Sequence, residues 1–170
     1  TISAGGRWLT YSRSPAQNTG TVPVPGNAKP NLYNRTYAAD PPGTITQPGN
    51  HTLYSYQPSL TVTTDNQNKL YGEAVPVLTA TIAGLVNGDT AADAYSGAPS
   101  LGTPATATSS VAGNPYPVFV GPGTLMSDVG YTFTYVNGQL VVVARPVTIT
   151  ADAGQTKVYG DLNPLAYTYA

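Results

Sequence analysis

The sequence contains no cysteine, so no disulfide can staple it. A small eukaryotic secreted domain would ordinarily carry such staples. A cysteine-free chain rich in Thr, Gly and Asn instead fits a bacterial surface protein, which must stay unfolded during export. Charge is also scarce: 9% of residues are charged, against about 25% in an average soluble protein. The seven Lys and Arg are scattered and the net charge is −1, which leaves no basic patch for nucleic acid. Strong helix formers are few, with one Glu, three Lys and one Met in 170 residues. No apolar run approaches the length of a membrane-spanning helix. The first residues, TISAGGRWLTYS, lack the charged and apolar regions of a signal peptide. The chain opens without Met and ends in mid-pattern at Ala170, so it reads as a piece of a longer polypeptide.

What the sequence does contain is 13 Tyr, 18 Gly and 16 Pro, set among many Thr and Val. Thr, Val and Tyr favour strands, while Gly and Pro make turns and end strands. An all-β chain follows, as tandem immunoglobulin-like sandwiches joined by short stiff linkers. Residues 1–12, with Trp8, Leu9 and Tyr11, read as the end of a preceding domain or a docking strand. Residues 13–58 are dense in turn formers, including Pro15, Gly20, Pro23, Pro25, Gly26, Pro30, Pro41 and Pro48. They read as a partial or irregular β domain with two or three short strands.

Residues 59–146 read as a complete domain. SLTVTT at 59–64 alternates, with Leu60 and Val62 on one face. Strands are also expected at 77–83, 106–111 and 116–120, the last an edge strand because of Pro117. Asn87-Gly88-Asp89 marks a turn. YTFTYVNGQLVVVA at 131–144 reads as a hairpin closed by a type I′ turn at Asn137-Gly138. Its second strand, apolar on both faces, should be central to its sheet. A further strand follows Arg145-Pro146, which reads as a stiff hinge.

The chain repeats itself. LTVTTD at 60–65 matches VTITAD at 147–152, and KLYGE at 69–73 matches KVYGD at 157–161. Pro76 then matches Pro164. Residues 147–170 thus read as the first strands of a second repeat. Alone they cannot bury a core. They are expected to pair within their own chain or with a neighbouring copy, and strand donation between copies would build a filament.

This repeated pattern resembles the MBG domain of the YGX type: a TxTA(D) strand, a turn, then K-x-YG, an acid and Pro. Lys69, Tyr71 and Gly72 carry it in the first copy, and Lys157, Tyr159 and Gly160 in the second. Thr64 stands where the pattern has Ala. Upstream, Gly6 to Ser12 (GRWLTYS) resembles the GRWLVYS segment of two-partner-secreted exoproteins of the filamentous haemagglutinin type. The resemblance implies secretion through an outer-membrane partner to the surface of a Gram-negative bacterium. It also implies a stalk role in adhesion, aggregation or biofilm, with neighbouring copies or domains as partners. It implies no catalytic residues.

The residues themselves give little chemistry. His51 reads as a surface histidine and Glu73 as a turn residue, so no enzyme is expected. No cofactor or metal site is expected either. Asp65 and Asp152, with Asp89 and Asp93 behind them, are the nearest to calcium ligands, but none forms a dense oxygen-ligand loop. Lys69 and Lys157 should lay their stems along a Tyr with the amine in water, a reading preferred to a Lys–Asn crosslink. Asn34 and Asn50 fit the glycosylation acceptor pattern. Tyr33, Tyr37, Tyr54 and Tyr56 could stack host or matrix glycans, which makes a glycan-binding module the rival to a stalk. Packing between domains is their preferred use.

Overall fold

The computed structural model describes residues 7–17, 30–162 and 168–170. Gly5, Gly6, Gly20, Pro23, Pro25, Gly26 and the Pro164 match lie outside them. The fold is all-β, as the composition requires. β1 (Leu9–Ser12) pairs in parallel with β2 (His51–Tyr54). β3 (Ser59–Thr64), β4 (Gln67–Leu70), β5 (Ala80–Ala83), β6 (Ser100–Gly102), β7 (Tyr116–Gly121), β8 (Thr132–Val136) and β9 (Gly138–Val143) form two sheets, in the orders β5-β3-β8 and β4-β9-β7-β6.

The organising feature is a pair of long runs, 59–70 and 132–143, lying side by side in parallel. β3 pairs with β8 from Ser59↔Thr132 to Thr63↔Val136, and β4 pairs with β9 from Gln67↔Leu140 to Leu70↔Val143. Each run changes sheet midway, at 65–66 and at 137. This corrects the expected hairpin, because β8 and β9 do not pair with each other. Asn137 and Gly138 lack the positive φ of a type I′ turn. Gly138 is needed for a different reason. A Cβ there would lie 2.6 Å from both the carbonyl oxygen and the Oγ1 of Thr64, so the two crossing runs touch backbone to backbone. Asn66 Oδ1 accepts from Gln139 N at 2.8 Å, and Asn137 Oδ1 accepts from Val120 N at 3.1 Å, which ties down both crossings.

Type I′ chemistry occurs instead at Asn87-Gly88, where φ is 55° and 69° and Asp89 N donates to Val86 O at 3.0 Å. In β9 the residues Gly138, Leu140 and Val142 are buried while Val141 and Val143 are exposed. The strand is inside its sheet, but only one of its faces is covered. β7 is likewise internal: β9 covers its first half and β6 its second, so Pro117 precedes the β6 pairing. The expected strand at 106–111 is a turn leading into a 3-10 helix at Val111–Gly113. A single helical turn, α1 (Ala91–Ala94), starts from a capping box between Thr90 and Asp93.

Among the described residues, the 13–58 stretch holds one strand, β2, and a bridge between Leu32 and Leu53. Its apolar residues are not separate from the next segment. Leu9, Leu32, Tyr33, Ile45, Leu53 and Tyr54 share one core with Leu60, Val129 and Tyr131. Full burial of such a side chain contributes roughly 1.5–3 kcal/mol. Arg7 fastens this region by donating to the carbonyls of Gln47, Pro42 and Ile45 at 2.9–3.0 Å.

The second motif copy differs from the first. Residues 147–150 form no strand, and Val147 and Ile149 are exposed where Leu60 and Val62 are fully buried. Thr150 and Ala170 exchange backbone hydrogen bonds, around a bridge between Ala151 and Tyr169. A period of two chooses a face, but a strand also needs a neighbour. β3 has β5 and β8 beside it, and among the described residues 147–150 have no such ladder.

Candidate functional site: the two ends of the domain

Because both long runs point the same way, residues 59 and 132 lie at one end of the domain and residues 70 and 143 at the other. The chemistry-bearing residues gather at these ends.

At the first end the Asn87-Gly88 turn aims Asp89 inward, where it is buried. Tyr33 and Tyr131 donate their hydroxyls to Oδ2 at 2.6 and 2.8 Å, and Asn31 Nδ2 donates to Oδ1 at 2.6 Å. The Tyr131 hydroxyl also accepts from Val86 N at 3.2 Å. The Tyr33 ring stacks on Tyr54 at 5.5 Å and meets Tyr131 edge-on at 5.0 Å. Burial, then the bond to Asp89, pushes the Tyr33 hydroxyl far above the usual tyrosine range. Burial chiefly, with Asp89 adding to it, raises Tyr131 to about 12, against the opposing bond from Val86 N. Both hydroxyls are thereby kept protonated and donating. The carboxylate clasps the 30–58 segment to the domain, a role that reading Asp89 as a turn residue missed.

The tyrosine quartet is therefore split. Tyr33 and Tyr54 are buried in the core and cannot stack a sugar, whereas Tyr37 and Tyr56 are exposed. His51 is also corrected. It is fully buried, with Nδ1 2.9 Å from Pro30 O and Nε2 2.9 Å from Pro48 O. It sits on β2, all four of whose residues are buried. Asn34 is exposed with φ 54°. Asn50 is half-buried, and its Oδ1 accepts from Trp8 N at 2.9 Å.

At the second end Lys69 departs from expectation. It is only 5% exposed. Its ammonium donates to Glu73 O at 2.9 Å, Ala107 O at 3.0 Å and Leu70 O at 3.3 Å, stitching the turn to the loop beyond β6. Gly72 holds φ 87°, and Glu73 Oε2 accepts from Leu70 N at 3.3 Å. Tyr71 stays partly exposed. It lines an apolar groove with Val111, Ala144, Arg145 and Val147 where the chain passes Pro146. In the second copy Gly160 adopts φ 92° and Asp161 N donates to Val158 O, reproducing the Gly72 turn. Lys157 and Tyr159 are exposed there. The turn is local and forms by itself, while the lysine cage needs a loop from elsewhere in the domain.

Lys69→Met should therefore lower stability by about 1–3 kcal/mol, since it removes three hydrogen bonds donated by a buried ammonium, while Leu70 O and Ala107 O keep their backbone donors, Glu73 N and Gly72 N. Lys157→Met should stay within about 0.5 kcal/mol. Urea titration of both variants checks this, and equal effects would remove the cage from the account.

Asp65 is engaged otherwise than as a metal ligand: Thr79 Oγ1 and Thr81 Oγ1 donate to it at 2.6 and 3.1 Å. Asp152 is exposed. Among the described residues no group of three or more His, Cys, Asp or Glu side chains is placed to hold a metal. The clustered polar groups at both ends join one stretch of chain to another.

Comparison with known families places a match on this same domain. Residues 60–141 match the family model of the MBG domain (YGX type). No curated protein and no solved structure matches the chain.

Proposed function

Taking residues 60–141 as an MBG domain, we propose that the chain is a structural stalk segment of a secreted bacterial surface adhesin. It extends a binding tip and serves cell adhesion, aggregation or biofilm. Neighbouring domains or copies of the protein are its partners, and an outer-membrane partner exports it. The observation that carries this reading is the parallel pairing of β3 with β8 and of β4 with β9. This domain's run comes in at residue 59 and goes out at residue 143, at most about 40 Å away along a run of twelve residues. Tension along that line slides β3–β4 against β8–β9. The ladder bonds of both sheets lie across the load and must fail together rather than one at a time. Pulling the two strands apart from one end would break the same bonds singly.

The absence of cysteine makes this directly testable, because two introduced thiols define the pulling points. In single-molecule force spectroscopy, Ser59→Cys with Ala144→Cys loads the ladders in shear. Ser59→Cys with Thr132→Cys peels them from one end. The shear pair should unfold at a clearly higher force, and equal forces would defeat a stalk built on this clamp.

A further inference from the structure

A cleft of about 320 Å³ lies on the region before residue 59, lined by Tyr11, Arg13, Arg35, Thr36, Tyr37 and Ser55 among others. Two of the seven Lys and Arg residues of the chain meet in it. Arg35 is committed to Asp40, Nη1 to Oδ1 at 2.7 Å. Arg13 is exposed, and among the described residues its guanidinium has no acidic partner. The cleft therefore carries one uncompensated cation with its planar set of donors free. Beside it, Tyr37 is 60% exposed and meets Tyr11 edge-on at 5.3 Å.

The walls are fixed before any ligand arrives. Ser55 N donates to Ser12 O and Tyr56 N to Arg13 O, both at 3.0 Å, and Arg35 N donates to Tyr54 O at 2.9 Å. The Tyr11 hydroxyl donates to the Asp40 carbonyl, and Asp40 Oδ2 accepts from Thr36 N at 3.2 Å. A rigid frame of this kind loses little freedom on binding.

We propose that this cleft binds a saccharide bearing a carboxylate, such as a uronic acid unit. Arg13 takes the carboxylate, which matches the guanidinium fork in shape and charge. The exposed Tyr37 ring takes the apolar C–H face of the sugar, and the hydroxyls of Thr36 and Ser55 border its polar edge. An acidic peptide would also satisfy Arg13 but would leave the tyrosine face unused, so the saccharide is the better fit. The site is independent of the stalk reading. It shares only Tyr37 with the tyrosine quartet named in the sequence, half of which is buried.

The test titrates the 170-residue chain with tetragalacturonate at low salt, following backbone amide shifts by NMR. Neutral galactotetraose and tetraglutamate are the controls. Saturable binding is expected, with Kd about 0.1–1 mM and with shifts concentrated at residues 11–13, 35–37 and 55. Arg13→Gln and Tyr37→Ala should each weaken it by about tenfold or more. Both substitutions are at exposed side chains, and an unchanged urea midpoint confirms that each variant folds. If a variant were destabilised, the wild-type shift map decides alone. No saturation by 10 mM (roughly the weak limit of specific binding), shifts located elsewhere, or equal affinity for tetraglutamate would each overturn the proposal.

Discussion

Replacing Asp89 with alanine should cost the chain about 3–5 kcal/mol, with the urea midpoint falling while the slope is unchanged. Three donors, from Asn31, Tyr33 and Tyr131, converge on this carboxylate inside the core. Hydrogen bonds to a charged group are each worth roughly 1.5–3 kcal/mol, and a buried donor left without an acceptor carries its whole desolvation cost. A domain of this size has about 5–15 kcal/mol in total, so the loss is a large part of it. Asp89→Asn should do less damage, because an amide keeps the shape and one acceptor oxygen. Tyr131→Phe should cost about 1–2 kcal/mol, since it removes one donor and the acceptor for Val86 N. A loss below about 1 kcal/mol for Asp89→Ala would mean that the cluster is wetter or looser than described.

The second large effect is alkaline. Both hydroxyls of the cluster are shifted upward in the folded chain, Tyr131 to about 12 and Tyr33 further. In the unfolded chain a tyrosine ionises near pH 10. Between about pH 10 and 12 the folded state thus holds protons that the unfolded state has released. By linkage, stability must fall as pH rises through that window, and the cluster contributes fully below it. Two units on Tyr131 alone correspond to about 2–3 kcal/mol. Urea midpoints measured from pH 8 to 12 should stay level to about 10 and then drop. In Tyr131→Phe the drop should be visibly smaller. An equal drop in wild type and variant would place the alkaline sensitivity in other tyrosines.

Much of the architecture is legible in the residues because it is local. SLTVTT gives β3 with the correct buried face, Asn87-Gly88 gives its turn, and both K-x-YG copies give the same Gly turn. What stays hidden depends on partners distant in sequence. Asn137-Gly138 has the composition of a hairpin turn, yet its glycine answers to Thr64, far back in the chain. Lys69 looks solvent-bound until the Ala107 carbonyl is placed beside it. His51, Tyr33 and Tyr54 sit among prolines and glycines that suggest exposed loops, but Leu9, Leu60 and Val129 cover that region from three other parts of the chain. Thr90-Ala-Ala-Asp93 spells a capping box in the sequence itself, and α1 begins there.

The side-by-side run of 59–70 and 132–143 also governs how fast the domain can form. Partners such as Thr61 and Thr134 are 73 residues apart, and β8 and β9, adjacent in sequence, give no early hairpin. Closing so long a loop precedes any reward from the ladders, which makes for a high contact order and slow folding. β3 and β4 have no parallel partner until residues 132–143 are available. For a chain delivered from one end, each domain would therefore remain open until its last strand arrives and then close as a unit.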